Sequence, residues 1–255
     1  SPLPGYRGAH LEKYIRQADW DEFLSFQKAA GNRIRLITLA PEAEGALALI
    51  RKCREQGITV ALGHHNGSAA VIRAAVDAGA TLSTHLGNGC ANLIHRHENP
   101  LWPQLADDRL TATLIADGAH LNDDEIKCFY KMKGRDNTIL VSDALDLAGL
   151  PPGEYTRGER NVVVTPAVAT FPDENCLAGA VVPLSQCVSS MVHVTGCAWS
   201  DAIDMASGNP ARALGMKGLG ALREGNRADL ILYTVEAGRM HVVKTIVAGQ
   251  VVYSA

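Results

Sequence analysis

Two hydrophobic periods take turns along the first 143 residues. Short apolar, β-branched runs predict strands over Arg33–Ala40, Ile58–Gly63, Thr81–His85, Leu110–Asp117 and Asn137–Asp143. Between them, apolar residues recur about every 3.6 positions, as in Ala70-Val-Ile-Arg-Ala-Ala-Val, and predict helices over Ala43–Gln56, Ser68–Ala78 and Asp123–Lys133. A helical stretch from Leu11 to Ala30, broken near Asp19, comes first, and a long loop runs from His85 to Arg109. Strands alternating with helices pair in parallel through right-handed crossovers. The predicted fold class is therefore α/β, a (β/α)8 barrel of TIM type. Five strand–helix units are countable where a closed barrel needs eight, so either the sheet is open or the first three strands lie ahead of Ser1, and the loop-like Pro/Gly opening favours the second.

After Asp143 the pattern changes. Residues 144–180 are rich in Gly, Pro and short β-like pieces such as Asn161-Val-Val-Val-Thr, an excursion above the barrel. Pro183–Val194, Trp199–Ala206 and Pro210–Leu214 read as helices, the last with Asn209 as N-cap, proline in its first position and Gly215 as its stop. The tail, Ala228-Asp-Leu-Ile-Leu-Tyr and His241 to Tyr253, reads as strands joined by a Gly-Gln turn. The expected domains are a barrel over 1–225 and the strands of a small β-sandwich domain over 226–255.

Composition narrows the function. With 24 basic and 27 acidic residues the charge is nearly balanced, which argues against a nucleic-acid surface. The sequence holds no apolar run of membrane-spanning length, and its opening is not a signal peptide. Six cysteines without a C-x-x-C pair read as reduced thiols of a cytoplasmic protein.

Four of the apolar runs lead into His64, His85, His120 and Asp143. Residues just past the carboxyl ends of barrel strands converge on one mouth, where the chemistry is done. A histidine after a strand often only bonds a loop carbonyl, but two at equivalent places on neighbouring strands favour ligation of a borderline metal such as Zn²⁺. His65 would point away, in a structural role. Such a site usually has three protein ligands, and Glu42, the nearest carboxylate, is expected instead to start the helix after it. Asp143 is the candidate proton carrier, against a reading as helix N-cap. His120, a few residues beyond its strand, is better placed for substrate, with Asp117 as its orienting partner or a loop cap. Gly87-Asn88-Gly89 offers backbone N–H groups for an anion or sugar hydroxyls, against a reading as an ordinary turn, and His95-Arg96-His97 a basic loop suited to phosphate, against a reading as solvated surface.

Leu39-Ala-Pro-Glu, Gly63-His64, Thr84-His85-Leu-x-Asn88, Ala116-Asp-Gly-x-His120, Ser142-Asp143-Ala, Leu177-Ala-Gly, Asn209-Pro-Ala-Arg-Ala-Leu-Gly and Gly225-x-x-Ala-Asp-Leu occur in one order. As an ordered set they resemble the N-acetylglucosamine-6-phosphate deacetylases of the amidohydrolase superfamily. The resemblance implies His64 and His85 as ligands of one divalent metal, Zn first, with Fe, Mn or Co as alternatives. It implies Asp143 as catalytic acid/base and His10, in Gly8-Ala9-His10, as the group polarising the acetyl carbonyl. Substrate contacts are implied at Ala9, His10, Asn88, Gly89, His120, Leu177, Ala178 and Gly179, with Arg96 reaching the phosphate across a homodimer interface. The implied activity is hydrolysis of the acetamide of an N-acetyl amino sugar phosphate; a different N-acyl sugar, a cyclic amide or a catalytically silent homologue are the alternatives. The family's third ligand is a glutamate in a Leu-Glu-Gly-Pro segment, expected just ahead of Ser1. Where the family has Tyr-Asn-Ala-Met, Gly-His-Ser and Leu-Ser-Gly-Ser, this sequence has Gly87-Asn-Gly-Cys90, Gly-His64-His65 and Leu177-Ala-Gly-Ala180.

Overall fold

The computed structural model describes residues 1–174 and 176–255. They divide into two compact units, Ser1–Thr113 and Leu114–Ala255. In the first, helix α1 (Trp20–Ala29) precedes strand β1 (Leu36–Leu39), helix α2 (Ala46–Glu55), strand β2 (Thr59–Leu62), helix α3 (Ala69–Ala78), strand β3 (Leu82–Ser83), helix α4 (Leu101–Ala106) and strand β4 (Thr111–Leu114). The predicted break at Asp19 is the N-cap of α1, its carboxylate accepting from Glu22 N; ahead of it lies only a short 3₁₀ turn at Glu12–Tyr14. β1, β2, β3 and β4 pair in parallel in that order, with Leu39 opposite Leu62 and Leu62 opposite Ser83.

Sequence spacing explains the packing. Ala46, Leu49, Ile50 and Cys53 lie on one face of α2 and Ile72, Ala75 and Val76 on one face of α3. These meet Val60, Leu62, Phe23 and Leu110 in the core of the unit. Ser68 caps α3 by accepting from Val71 N, and Gly79 ends it. Glu42 does not start α2, as the sequence suggested. The helix begins at Ala46 behind a left-handed Gly45, and the Glu42 carboxylate is drawn away to the amide of Asn66 at 2.8 Å.

The second unit opens at Leu114. Helix α5 (Asp123–Lys133) carries the Asn122/Glu125 capping box, with acidic residues in its first turn and lysines in its last. Strand β5 (Thr138–Leu140) follows as the fifth member of the parallel sheet, Val141 N donating to Leu114 O. The Gly/Pro-rich stretch forms an antiparallel sheet of β6 (Gly153–Arg157), β7 (Arg160–Val164), β8 (Val168–Phe171) and β9 (Cys176–Ala180). Helices α6 (Leu184–Thr195), α7 (Trp199–Ala206) and α8 (Gly208–Ala213) come next. Asn209 is not the cap of α8 but lies inside it. Its side-chain amide is worth more elsewhere, donating to Arg135 O and Thr138 O and fastening the helix to β5. Strands β10 (Leu230–Glu236), β11 (Arg239–Val247) and β12 (Gln250–Ser254) close the chain as an antiparallel sheet, β11 packing on α6 and β12 following a tight Ala248-Gly249 turn. Among the described residues all six cysteines are free thiols and no helix is long and apolar enough to cross a membrane.

Candidate active site

His64 and His85 each stand two residues past the end of a parallel strand, β2 and β3, and Asp143 three past β5. All three have left-handed backbones, at φ 53°, 31° and 53°. Only Asn32, Ala237 and Ala248 share that region among the other described non-glycine residues. Such conformations cost roughly 1–3 kcal/mol each and persist where surrounding structure over-determines them, often at functional sites.

In the first unit the two imidazoles face each other. His64 Nδ1 lies 3.1 Å from Tyr6 O; a carbonyl only accepts, so Nδ1 carries the proton. Burial, then the neighbouring His85 and His10, push the His64 pKa down to about 3, so the ring is neutral. Its Nε2 lone pair therefore points at His85 Nε2, 3.0 Å away, with the rings nearly perpendicular. His10, exposed, packs its ring edge-on against His64, centroids 4.7 Å apart.

The scaffold around the pair is tight. Thr113 Oγ1 accepts from His85 N at 2.6 Å while donating to Ser83 O. Asn88 returns both its backbone and side-chain N–H to His85 O. Gly8 and Gly89 have no room for a side chain: a Cβ would lie 2.6 Å from His64 Cε1 and 2.7 Å from His64 N respectively. Ser1 N donates to His64 O. Tyr6 and Thr113 were missed by sequence reasoning, a threonine inside a buried strand being the one available signal, and Gly8 entered only as the first residue of the Gly8-Ala9-His10 segment. Ala9 is half-buried beside this cluster, and Arg96 lies exposed in the long loop, its carbonyl accepting from Trp102 Nε1.

Two nitrogens each about 2.0–2.1 Å from one metal stand about 3 Å or slightly more apart. The His64–His85 separation meets that condition, and a ligating imidazole whose other N–H is held by a carbonyl is the usual arrangement. The pair therefore fits a divalent cation as two of its ligands. Among the described residues no group of three or more His, Cys, Asp or Glu side chains is arranged to hold one.

His65, read from the sequence as pointing away in a structural role, turns inward. It is 3 % exposed, accepts from Gly67 N through Nδ1 and is hydrogen-bonded by the Gln104 side chain. Burial is the main influence lowering its pKa, opposed by Glu42 and Gln104.

In the second unit Asp117 clamps His120. Asp117 Oδ2 meets His120 Nδ1 at 2.7 Å while Oδ1 accepts from the amides of Ala119 and His120, so it is at once orienting partner and loop cap. Burial alone would raise the Asp117 pKa, but the His120 ring and the two amides outweigh it and the net shift is downward. No helix follows Asp143. Its exposed side chain sits on a turn whose carbonyl accepts from Ala180 N, and Leu145 N returns a bond to Ala180 O. Leu177, Ala178 and Gly179 lie on β9 just before that join.

Residues 9–252 match the amidohydrolase family. The chain belongs to that family. It is 33% identical over 243 residues to the N-acetylglucosamine-6-phosphate deacetylase of Lysinibacillus sphaericus, covering 92% of this chain and 62% of the relative. It is 35% identical over 249 residues to the N-acetylgalactosamine-6-phosphate deacetylase of Escherichia coli O157:H7, covering 97% and 64%. Among solved structures, a mutant N-acetyl-D-glucosamine-6-phosphate deacetylase of Mycobacterium smegmatis in complex with N-acetyl-D-glucosamine-6-phosphate superposes with a TM-score of 0.87 at 31% identity, over 97% of this chain and 65% of that one. The chain thus spans less than two thirds of the length of these relatives. The expected family and barrel-type fold are borne out.

Proposed function

We propose that this amidohydrolase chain forms part of a metal-dependent deacetylase acting on an N-acetyl amino sugar 6-phosphate. The observation that carries the reading is the pair of Nε2 atoms held 3.0 Å apart on strained strand-end residues. The relatives' substrates support the substrate class. Zn²⁺ is the metal proposed, held by His64 and His85. The family resemblance assigns a third ligand to a Leu-Glu-Gly-Pro glutamate, a segment residues 1–255 do not contain. A divalent cation there supplies Lewis acidity toward the acetyl oxygen and acidifies water.

The chain's own groups then have these tasks. Asp143 takes a proton from the attacking water and gives it to the departing nitrogen, so that amide and water become acetate and amine. His10 donates toward the acetyl oxygen as negative charge develops there. His120, fixed by Asp117, contacts the sugar, with Ala9, Asn88, Gly89 and the Leu177–Gly179 segment, and Arg96 binds the phosphate. A homodimer, a cytoplasmic location and a barrel over 1–225 with a small β-domain over 226–255 belong to the same reading. A second reading, another N-acyl amino sugar, rests on Cys90, Ala178 and Ala180 standing where the resembling family has other side chains.

The test is acetate release from the glucosamine and galactosamine 6-phosphate substrates by Zn²⁺-loaded protein. Metal content is measured alongside for wild type, His64→Ala and Asp143→Asn. The expected result is activity lost on chelation, metal lost in the first variant and kept in the second. Zn²⁺ retained by His64→Ala would sink the metal assignment.

A further inference from the structure

The turn after β2 carries a second buried histidine that no part of the chemistry above uses. His65 accepts from Gly67 N–H through Nδ1 at 3.2 Å, so Nδ1 holds no proton and the neutral ring must carry it on Nε2. Gln104, 4 % exposed on α4, is the other partner of that ring. Its Nε2 donates to Pro100 O at 2.8 Å. A carbonyl only accepts, which fixes the orientation of the amide and leaves Gln104 Oε1 as the acceptor for His65 Nε2–H. The result is a relay of one sense, from Gly67 N–H through the imidazole and the amide to Pro100 O, in which reversal of any member breaks two bonds. Between these two anchors, Asn66 N–H is held by Glu42 Oε1. Residues 65, 66 and 67 are thus each tied down immediately after His64, whose own φ is 53°.

We propose that His65 is a positioning residue for the metal centre: through Gln104 it locks the turn that aims His64 Nε2 at the cation. The inference rests on His64 being a ligand. α4 also holds the basic loop, through Trp102 Nε1 on Arg96 O and, from the residue before Pro100, Asn99 Nδ2 on His95 O. The same lock therefore joins the metal turn to the segment assigned to phosphate. The family resemblance puts a serine at this position, a side chain without the two ring nitrogens that the relay uses.

The experiment uses the 255-residue chain. Long-range ¹H–¹⁵N spectra of the metal-free protein should show His65 protonated on Nε2 alone. Zn²⁺ affinity is measured against a chromophoric chelator for wild type, His65→Ala, Gln104→Leu and Gln104→Glu, with circular dichroism to confirm folding. His65→Ala and Gln104→Leu should weaken Zn²⁺ binding by about 10–100-fold, the range for groups that orient a ligand, while Gln104→Glu, which keeps an acceptor, stays within about threefold of wild type. If His65→Ala does not fold, the contrast between the two Gln104 variants decides. A proton on His65 Nδ1, or wild-type Zn²⁺ affinity in Gln104→Leu, overturns the proposal. The ligand assignment fails separately, if His64→Ala holds Zn²⁺ like wild type. The metal-free spectra then decide for the lock: His64 keeps a single Nδ1–H form in wild type and exchanges between forms in Gln104→Leu, and an unchanged His64 refutes it.

Discussion

The two units each present a pair of side chains at hydrogen-bond distance, and the pairs differ in kind. Asp117 and His120 are complementary: the carboxylate accepts, the ring donates, and both side chains are almost fully buried. His64 and His85 are two bases facing each other across 3.0 Å, with the first already committed by Tyr6 to keep its lone pair in the gap. In the first arrangement the protein itself satisfies both carboxylate oxygens and the Nδ1 of the ring. In the second, His85 either donates from Nε2 to the His64 lone pair or turns its own lone pair to the gap, and in that second form the two nitrogens stand at the spacing of two ligands of one cation. They are also placed differently. His120 is held by its own side chain bonding three residues back, whereas His64 and His85 are placed by left-handed backbone that neighbouring segments enforce.

Four measurements sharpen or break this contrast. The largest effect belongs to His85→Ala, which should cost at least about 100-fold in Zn²⁺ affinity, because a single imidazole cannot hold the ion; near-normal affinity by equilibrium dialysis would erase the distinction. Asp143→Asn should lower turnover by about 10²–10⁴ with metal content unchanged, and loss of metal would move Asp143 from proton carrier to ligand. Asp117→Asn should leave Zn²⁺ binding intact but destabilise the protein by about 1.5–3 kcal/mol in urea melts, the range for a hydrogen bond to a charged group. The smallest effect is on pH dependence. With His64 titrating at about 3 in the fold and at 6.5 when unperturbed, the unfolded chain binds more protons between those values. The metal-free protein should thus melt at lower temperatures as pH falls from about 7 to about 5, and His64→Ala should flatten the slope.

Strand–helix alternation was legible because each element announces itself locally: Leu49, Ile50 and Cys53 share a face by spacing alone, and Ser68 and Gly79 mark their helix ends. The placement of His64 and His85 was legible for a related reason, that equivalent strand ends converge. What stayed hidden depends on partners distant in the sequence. Glu42 looked like a helix starter until the Asn66 amide, 24 residues away, claimed it. Asn209 looked like a cap until Thr138, 71 residues away, proved the better partner. The roles of Tyr6 and Thr113 lie in a main-chain carbonyl and in a hydroxyl facing a turn, neither of which residue type reveals.

The left-handed backbone at residues 64, 85 and 143 restricts what mutation can try there. Asn, Asp, His and Gly tolerate that region, while β-branched or bulky residues do not. Glycine carries no donor, so the substitutions open to drift at the two imidazole positions reduce to one amide and one carboxylate. Re-tooling this centre for a softer ion by installing thiolates would therefore have to begin by reshaping the main chain, before any question of affinity arises.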